Sequence, residues 1–100
     1  LKNKKIIGFG SSARSQTFLN YCKFNEKNIE MIIDNNPMKQ NLYSPGTNIQ
    51  IVDFDRGINF QPDAIFILAW NFKDEIIDLC RNAGYRGAYI IPFPNNPQVL

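Results

Sequence analysis

Short apolar runs that do not alternate with polar residues recur along this chain, and each gives way to a turn signal or a helical pattern. The first is Lys5-Ile6-Ile7-Gly8-Phe9, apolar on both alternating faces. A strand of that kind belongs in the middle of a parallel sheet covered by helices on both sides. A small-residue turn follows, then residues 13–24, where Phe18, Leu19, Tyr21 and Cys22 fall close to a 3.6-residue period. Ser11 or Ser12 supplies the hydroxyl that caps this helix. Polar residues 25–28 turn the chain into a second apolar run, residues 29–33, closed by Asp34-Asn35-Asn36-Pro37. Strand, helix and strand make one βαβ unit of about thirty residues.

Residues 38–47 have no period, and Ser44-Pro45-Gly46-Thr47 has the Pro-Gly order of a type II turn. Ile49, Ile51, Val52 and Phe54 predict a short strand, and residues 55–62 an irregular segment. The run Ala64-Ile65-Phe66-Ile67-Leu68-Ala69 is apolar throughout and predicts the central strand. A helix follows, with Asn71 as its cap, Asp74 and Glu75 in its first turn, Ile76, Ile77, Leu79, Cys80 and Ala83 on one face, and Gly84 at its stop. Residues 87–91 are a last strand before Pro92-Phe93-Pro94 and a polar tail. The order β-α-β-β-β-α-β predicts an α/β fold, a small Rossmann-like, doubly wound and mostly parallel sheet with flanking helices. Right-handed crossovers bring the loops after the first strand, after Ile33 and after Ala69 to one edge, where such folds bind ligands.

Composition narrows the classes. At 100 residues, 44% hydrophobic and 20% charged, the chain suits one globular domain, residues 1–100. A net charge of +2 with no basic run beyond Lys4-Lys5 argues against nucleic acid. No apolar stretch approaches the roughly 20 residues of a membrane span, and no signal-peptide pattern opens the chain. A soluble, reducing, cytoplasmic setting is the expectation. Two cysteines, widely separated, and no histidine make no tetrahedral zinc site.

The candidate chemistry lies at the predicted loop edge. Gly8-Phe9-Gly10-Ser11-Ser12-Ala13 has the spacing of a phosphate loop in the required context, after a strand and before a helix. Gly8 would permit the turn, Gly10 would admit a pyrophosphate to the backbone, Ala13 would let helix and strand pack, and Arg14 would add positive charge. The alternative is a tight turn that binds nothing. Asp34 stands where a ribose-reading carboxylate belongs, or it ends the strand and starts a turn. Lys39 meets phosphate or solvent. In Trp70-Asn71-Phe72, the Trp would lie beside the glycine loop and stack on a base or sugar, or close the core. Glu75 complements the helix dipole. Without histidine, and with no Ser, Cys or Lys marked out beside an acid, no catalytic constellation is visible.

Together, Gly8-Phe9-Gly10-Ser11-Ser12-Ala13-Arg14 with Thr17, Asn20-Tyr21-Cys22, Asp34-Asn35-Asn36-Pro37 with Lys39, Tyr43-Ser44-Pro45-Gly46-Thr47, Leu68-Ala69-Trp70-Asn71-Phe72 with Glu75-Ile76, and Pro92-Phe93-Pro94 strongly resemble one family. It is the C-terminal domain of the S-adenosylmethionine-dependent C-methyltransferases that act on nucleotide-linked deoxysugars. The resemblance implies a three-domain enzyme: an N-terminal zinc-binding domain, a middle domain that binds S-adenosylmethionine, and a C-terminal Rossmann-like domain that anchors the nucleotide-sugar. This chain would be the third, binding no cofactor itself, with S-adenosylmethionine, zinc and the acid-base residues in the other two. The glycine loop and Trp70-Asn71-Phe72 would face the nucleotide and its phosphates. The family usually has Gly where Ser15 and Asn41 stand, often Ala where Ser11 stands, and commonly Asn where Gln16 stands. Direct S-adenosylmethionine binding is disfavoured, because Ile6 stands where such loops carry an acid. The alternative from another class is a non-catalytic module that binds or senses an NAD- or CoA-type nucleotide.

Overall fold

Both faces of the central strands are buried, which is why their sequences do not alternate. The computed structural model describes residues 4–44, 46–91 and 98–99, with the side chains of residues 13, 14, 98 and 99 outside that description. In chain order the elements are β1 (Ile6–Phe9), α1 (Ala13–Tyr21), β2 (Ile32–Ile33), β3 (Ile51–Val52), α2 (Phe54–Asn59), β4 (Ala64–Ile67), a 3-10 turn (Trp70–Phe72), α3 (Lys73–Asn82), β5 (Ala88–Ile91) and β6 (Gln98–Val99). The six strands lie in the order β3-β2-β1-β4-β5-β6. β1 to β5 are parallel and β6 pairs antiparallel with β5. The α/β, Rossmann-like expectation is met.

Successive strand residues serve opposite layers. Ile7, Phe9, Ile65 and Ile67 pack in one core with Ile76, Ile77 and Cys80 of α3. Ile6, Ile32, Ala64 and Leu68 pack in a second core with Leu19 of α1. Phe66 belongs to that layer too, set between Phe18 and Phe24 at ring separations of 6.0 and 6.1 Å. Burying one such Ile or Leu side chain contributes about 1.5–3 kcal/mol. Strands of two to four residues hold because both sides are filled.

Several local expectations need correction. Residues 54–59 are helical, not irregular, and Phe54 opens α2 instead of extending β3. Asp53 caps α2 by accepting from the Arg56 N–H at 2.8 Å. A Cβ at Gly57 would stand 2.3 Å from Ile33 Cγ1, so α2 touches the sheet through a glycine. Asn71 does not cap α3: it is exposed within the 3-10 turn, and α3 begins after Phe72 with no side-chain cap. α1 stops at Tyr21, whose ring is 86% exposed and outside the apolar stripe expected to hold it. Cys80 is fully buried and Cys22 half-buried, both with free thiols.

Residues 41–44 cover the outer edge of β3. The Asn41 N–H donates to the Ile51 carbonyl at 2.7 Å and the Ile51 N–H to the Leu42 carbonyl at 2.8 Å. Asn41 has φ +69°, a left-handed conformation that Asn tolerates. Gly46 has φ +80°, as the third position of a type II turn requires, while Pro45 lies outside the described residues. The Pro92-Phe93-Pro94 segment also lies outside them. Among the described residues no helix is long and apolar enough to cross a membrane.

Candidate functional site at the carboxyl edge of the sheet

From β1 the chain runs outward to β2 and β3, then returns past β1 to β4, so the order reverses between β1 and β4. A crevice at the carboxyl ends of the strands is the geometric result of such a switch point. Three segments converge there: residues 10–12 after β1, residues 34–39 after β2, and residues 69–72 after β4. Their meeting leaves a depression of about 260 Å³, lined by Phe9, Gly10, Ile33, Asp34, Asn35, Ala69, Phe72 and Ile76.

The two glycines of the loop have different reasons to be glycine. Gly10 has φ +108°, and a Cβ there would lie 2.8 Å from Ala69 Cβ and 3.0 Å from its backbone nitrogen. The loop after β1 therefore rests directly on the segment that follows β4. Its N–H donates to the Ile33 carbonyl at 2.8 Å. Gly8, expected to permit the turn, lies inside β1 without a positive φ. Its missing side chain makes room for Leu68, whose Cδ1 would be 2.9 Å from a Cβ.

Of the two candidate serine caps, Ser12 is the one used: its Oγ accepts from the Ser15 N–H at 3.2 Å. The same Oγ lies 3.1 Å from Ser15 Oγ, and Ser15 is buried. Ala13 and Arg14 open α1, but their side chains lie outside the described set.

Asp34 and Lys39 both reach the loop. Asp34 Oδ2 accepts from the Ser11 N–H at 3.2 Å and from the Ser11 hydroxyl, and Oδ1 accepts from the Asn36 N–H at 2.8 Å. Lys39 Nζ donates to the Ser11 carbonyl at 3.4 Å. Among the described residues the ion pair within 4.0 Å is Lys73–Asp74, on the surface, and Lys39 and Asp34 meet through Ser11 and not directly.

Within Trp70-Asn71-Phe72 the structure separates the roles. Phe72, 61% exposed, stands at the depression. Trp70 is half-buried and neither it nor Asn71 lines the depression. Sequence reasoning missed Phe9, Ile33, Asn35, Ala69 and Ile76. Ala69 had a signal: it is the small residue ending the most apolar strand, where a loop glycine needs a close neighbour.

An apolar floor, an exposed aromatic ring and a lysine beside a helix start suit a ligand with a flat ring and an anionic group. They do not suit nucleophilic chemistry. Burial pushes the Cys80 thiol up to about 11, and burial first, then Tyr89, Cys80 and Asp63 nearby, pushes Tyr85 up to about 12. Neither side chain lines the depression. Among the described residues no three His, Cys, Asp or Glu side chains come together as a metal-holding group.

A second depression, of about 390 Å³, opens at the amino edge between the ends of α2 and α3. It is lined by Gln61, Pro62, Gly84, Tyr85 and Arg86 with their neighbours, and by none of the ligand-binding candidates named from the sequence.

The C-methyltransferase C-terminal domain family matches residues 1–94. C-methyltransferase NovU of Streptomyces niveus is 30% identical over 98 residues. That match covers 97% of this chain and 23% of NovU, so the chain spans about a quarter of that relative's length.

Proposed function

The chain belongs to the C-methyltransferase C-terminal domain family, and from that premise we propose that it anchors a nucleotide-linked deoxysugar while another domain of the same polypeptide delivers the methyl group to a ring carbon. The observation that carries this reading is the meeting of Gly10 of the glycine loop and Phe72 around one depression at the switch point, with Lys39 held on the Ser11 carbonyl of the same loop. The start of α1 and Lys39 favour the diphosphate, and the Phe72 ring favours a base or sugar face. Zinc, S-adenosylmethionine and the acid-base residues belong, on this reading, to the preceding domains. The residues here do not fit S-adenosylmethionine, since Ile6, where its loop would carry an acid, is a buried apolar side chain.

Titration calorimetry on the complete polypeptide tests the proposal. Thymidine diphosphate is expected to bind, and thymidine without phosphate to bind at least tenfold more weakly, the loss of a charge-assisted contact being worth roughly 1.5–3 kcal/mol. No heat with any nucleoside diphosphate at millimolar ligand would refute it. Saturable binding of NADH or coenzyme A in its place would move the assignment to a nucleotide-sensing module.

A further inference from the structure

In doubly wound nucleotide-binding sheets a carboxylate ending the second strand accepts hydrogen bonds from ribose hydroxyls. Asp34 occupies that position, yet its oxygens are turned to the protein. We propose that Asp34 is a clasp that positions the glycine loop, and not a reader of the ribose 2′-hydroxyl. The proposal rests on reading the carboxyl edge as a nucleotide-diphosphate site.

The geometry is specific to one residue. Ser11 has three polar groups, and side chains from the segment after β2 hold all of them: Asp34 takes the N–H and the hydroxyl, and Lys39 takes the carbonyl. Ser11 is 6% exposed, so these bonds are partly shielded from water. The other Asp34 oxygen is held by the Asn36 N–H, and the Asp34 carbonyl accepts from Gln40 Nε2 at 2.9 Å. The clasp itself is therefore fixed from behind.

Ser11 stands between Gly10, in its left-handed conformation, and Ser12, the cap of α1. Fixing Ser11 sets the direction in which the first turn of α1 presents its N–H groups to a phosphate. Asp34 then acts on affinity through the loop, and its removal weakens ribose and deoxyribose ligands alike.

Uridine diphosphate and 2′-deoxyuridine diphosphate differ only at the hydroxyl in question. In the complete polypeptide, Asp34→Asn is expected to weaken both by the same factor, roughly tenfold, as loss of a buried charge-assisted pair does. Ser11→Ala should give an equal or smaller loss, and the double variant should be no weaker than Asp34→Asn alone, because the hydroxyl contact that Ser11→Ala removes is one of those that Asp34→Asn disturbs. A loss confined to the ribose ligand, or losses that multiply in the double variant, would overturn the clasp. Amide hydrogen exchange at residues 11–15 supplies a readout without ligand. Exchange in Asp34→Asn is expected to rise more at residues 11–15 than in the core strands, and unchanged exchange overturns the proposal. If the unaltered protein binds neither nucleotide, the substrate reading falls, and the exchange result still decides whether Asp34 holds the loop.

Discussion

The carboxyl and amino edges of this sheet each carry a depression, and the larger one lies at the edge with less to offer a ligand. At the amino edge the Tyr85 hydroxyl and the Asp63 carboxylate are spent on the fold. Tyr85 donates its hydroxyl to the Pro62 carbonyl at 3.0 Å, and the Lys5 N–H donates to Asp63 at 2.7 Å. A Cβ at Gly87 would collide with the Tyr85 ring, so even the packing there serves that one side chain. At the carboxyl edge the bonds hold a loop in place, Lys39 sets its ammonium on the Ser11 carbonyl, and Phe72 keeps its ring exposed. Empty volume measures how badly helix ends fill a corner. Which strand ends and loops converge on a depression says what it can grip.

The sharpest way to break this contrast is Gly10→Val. The new side chain would meet Ala69 from a backbone conformation that β-branched residues avoid, at a cost of about 2–4 kcal/mol. Calorimetry should show nucleotide affinity reduced by at least about a hundredfold, because the loop no longer seats on the segment after β4. Binding retained within twofold would remove the site from this edge.

Tyr85→Phe works from the other side. It leaves the Pro62 carbonyl unsatisfied, and chemical denaturation should register a loss of about 1–3 kcal/mol with nucleotide affinity unchanged. The same residue gives a pH signature. Its hydroxyl is raised from 10.0 to about 12 in the fold, so the folded state keeps a proton that the unfolded state releases. The contribution is full below pH 10 and is lost as the pH rises through about 12, and the variant should lose stability less steeply across that window.

Phe72→Ala is the smallest effect expected. With its ring exposed it costs the fold little, and affinity should fall about fivefold, the worth of one stacking contact. An unchanged affinity would leave the aromatic side of the depression without a role.

How far the sequence could be read follows the same division. β1, β4 and α3 were legible because burial on two faces, or on one stripe, writes itself into consecutive residues. α2 was not, although Asp53 stands three residues before Arg56 as a cap should. A six-residue helix is too short to show a period, and its contact with the sheet is a glycine, which leaves no apolar mark. Asn71 misled for a different reason: the cap signal was present, but a 3-10 turn intervenes before α3. The candidates Ser11, Asp34 and Lys39 were each visible as residues. Their relation was not, because it exists only where β1 and β2 lie side by side.

Gly10 resting on Ala69 also has a consequence for assembly. Ser11 meets Asp34 across a sequence separation of 23 residues, whereas the β1–β4 seam, marked by Lys5 and Asp63, closes across 58. The longer closure costs more chain entropy, which favours completing the β1–α1–β2 half first. The loop and its clasp belong to that early half, and the wall formed by Ala69 and Phe72 arrives with the second. A ligand held between them recognises only the joined sheet, so its binding draws the folding equilibrium toward the closed seam.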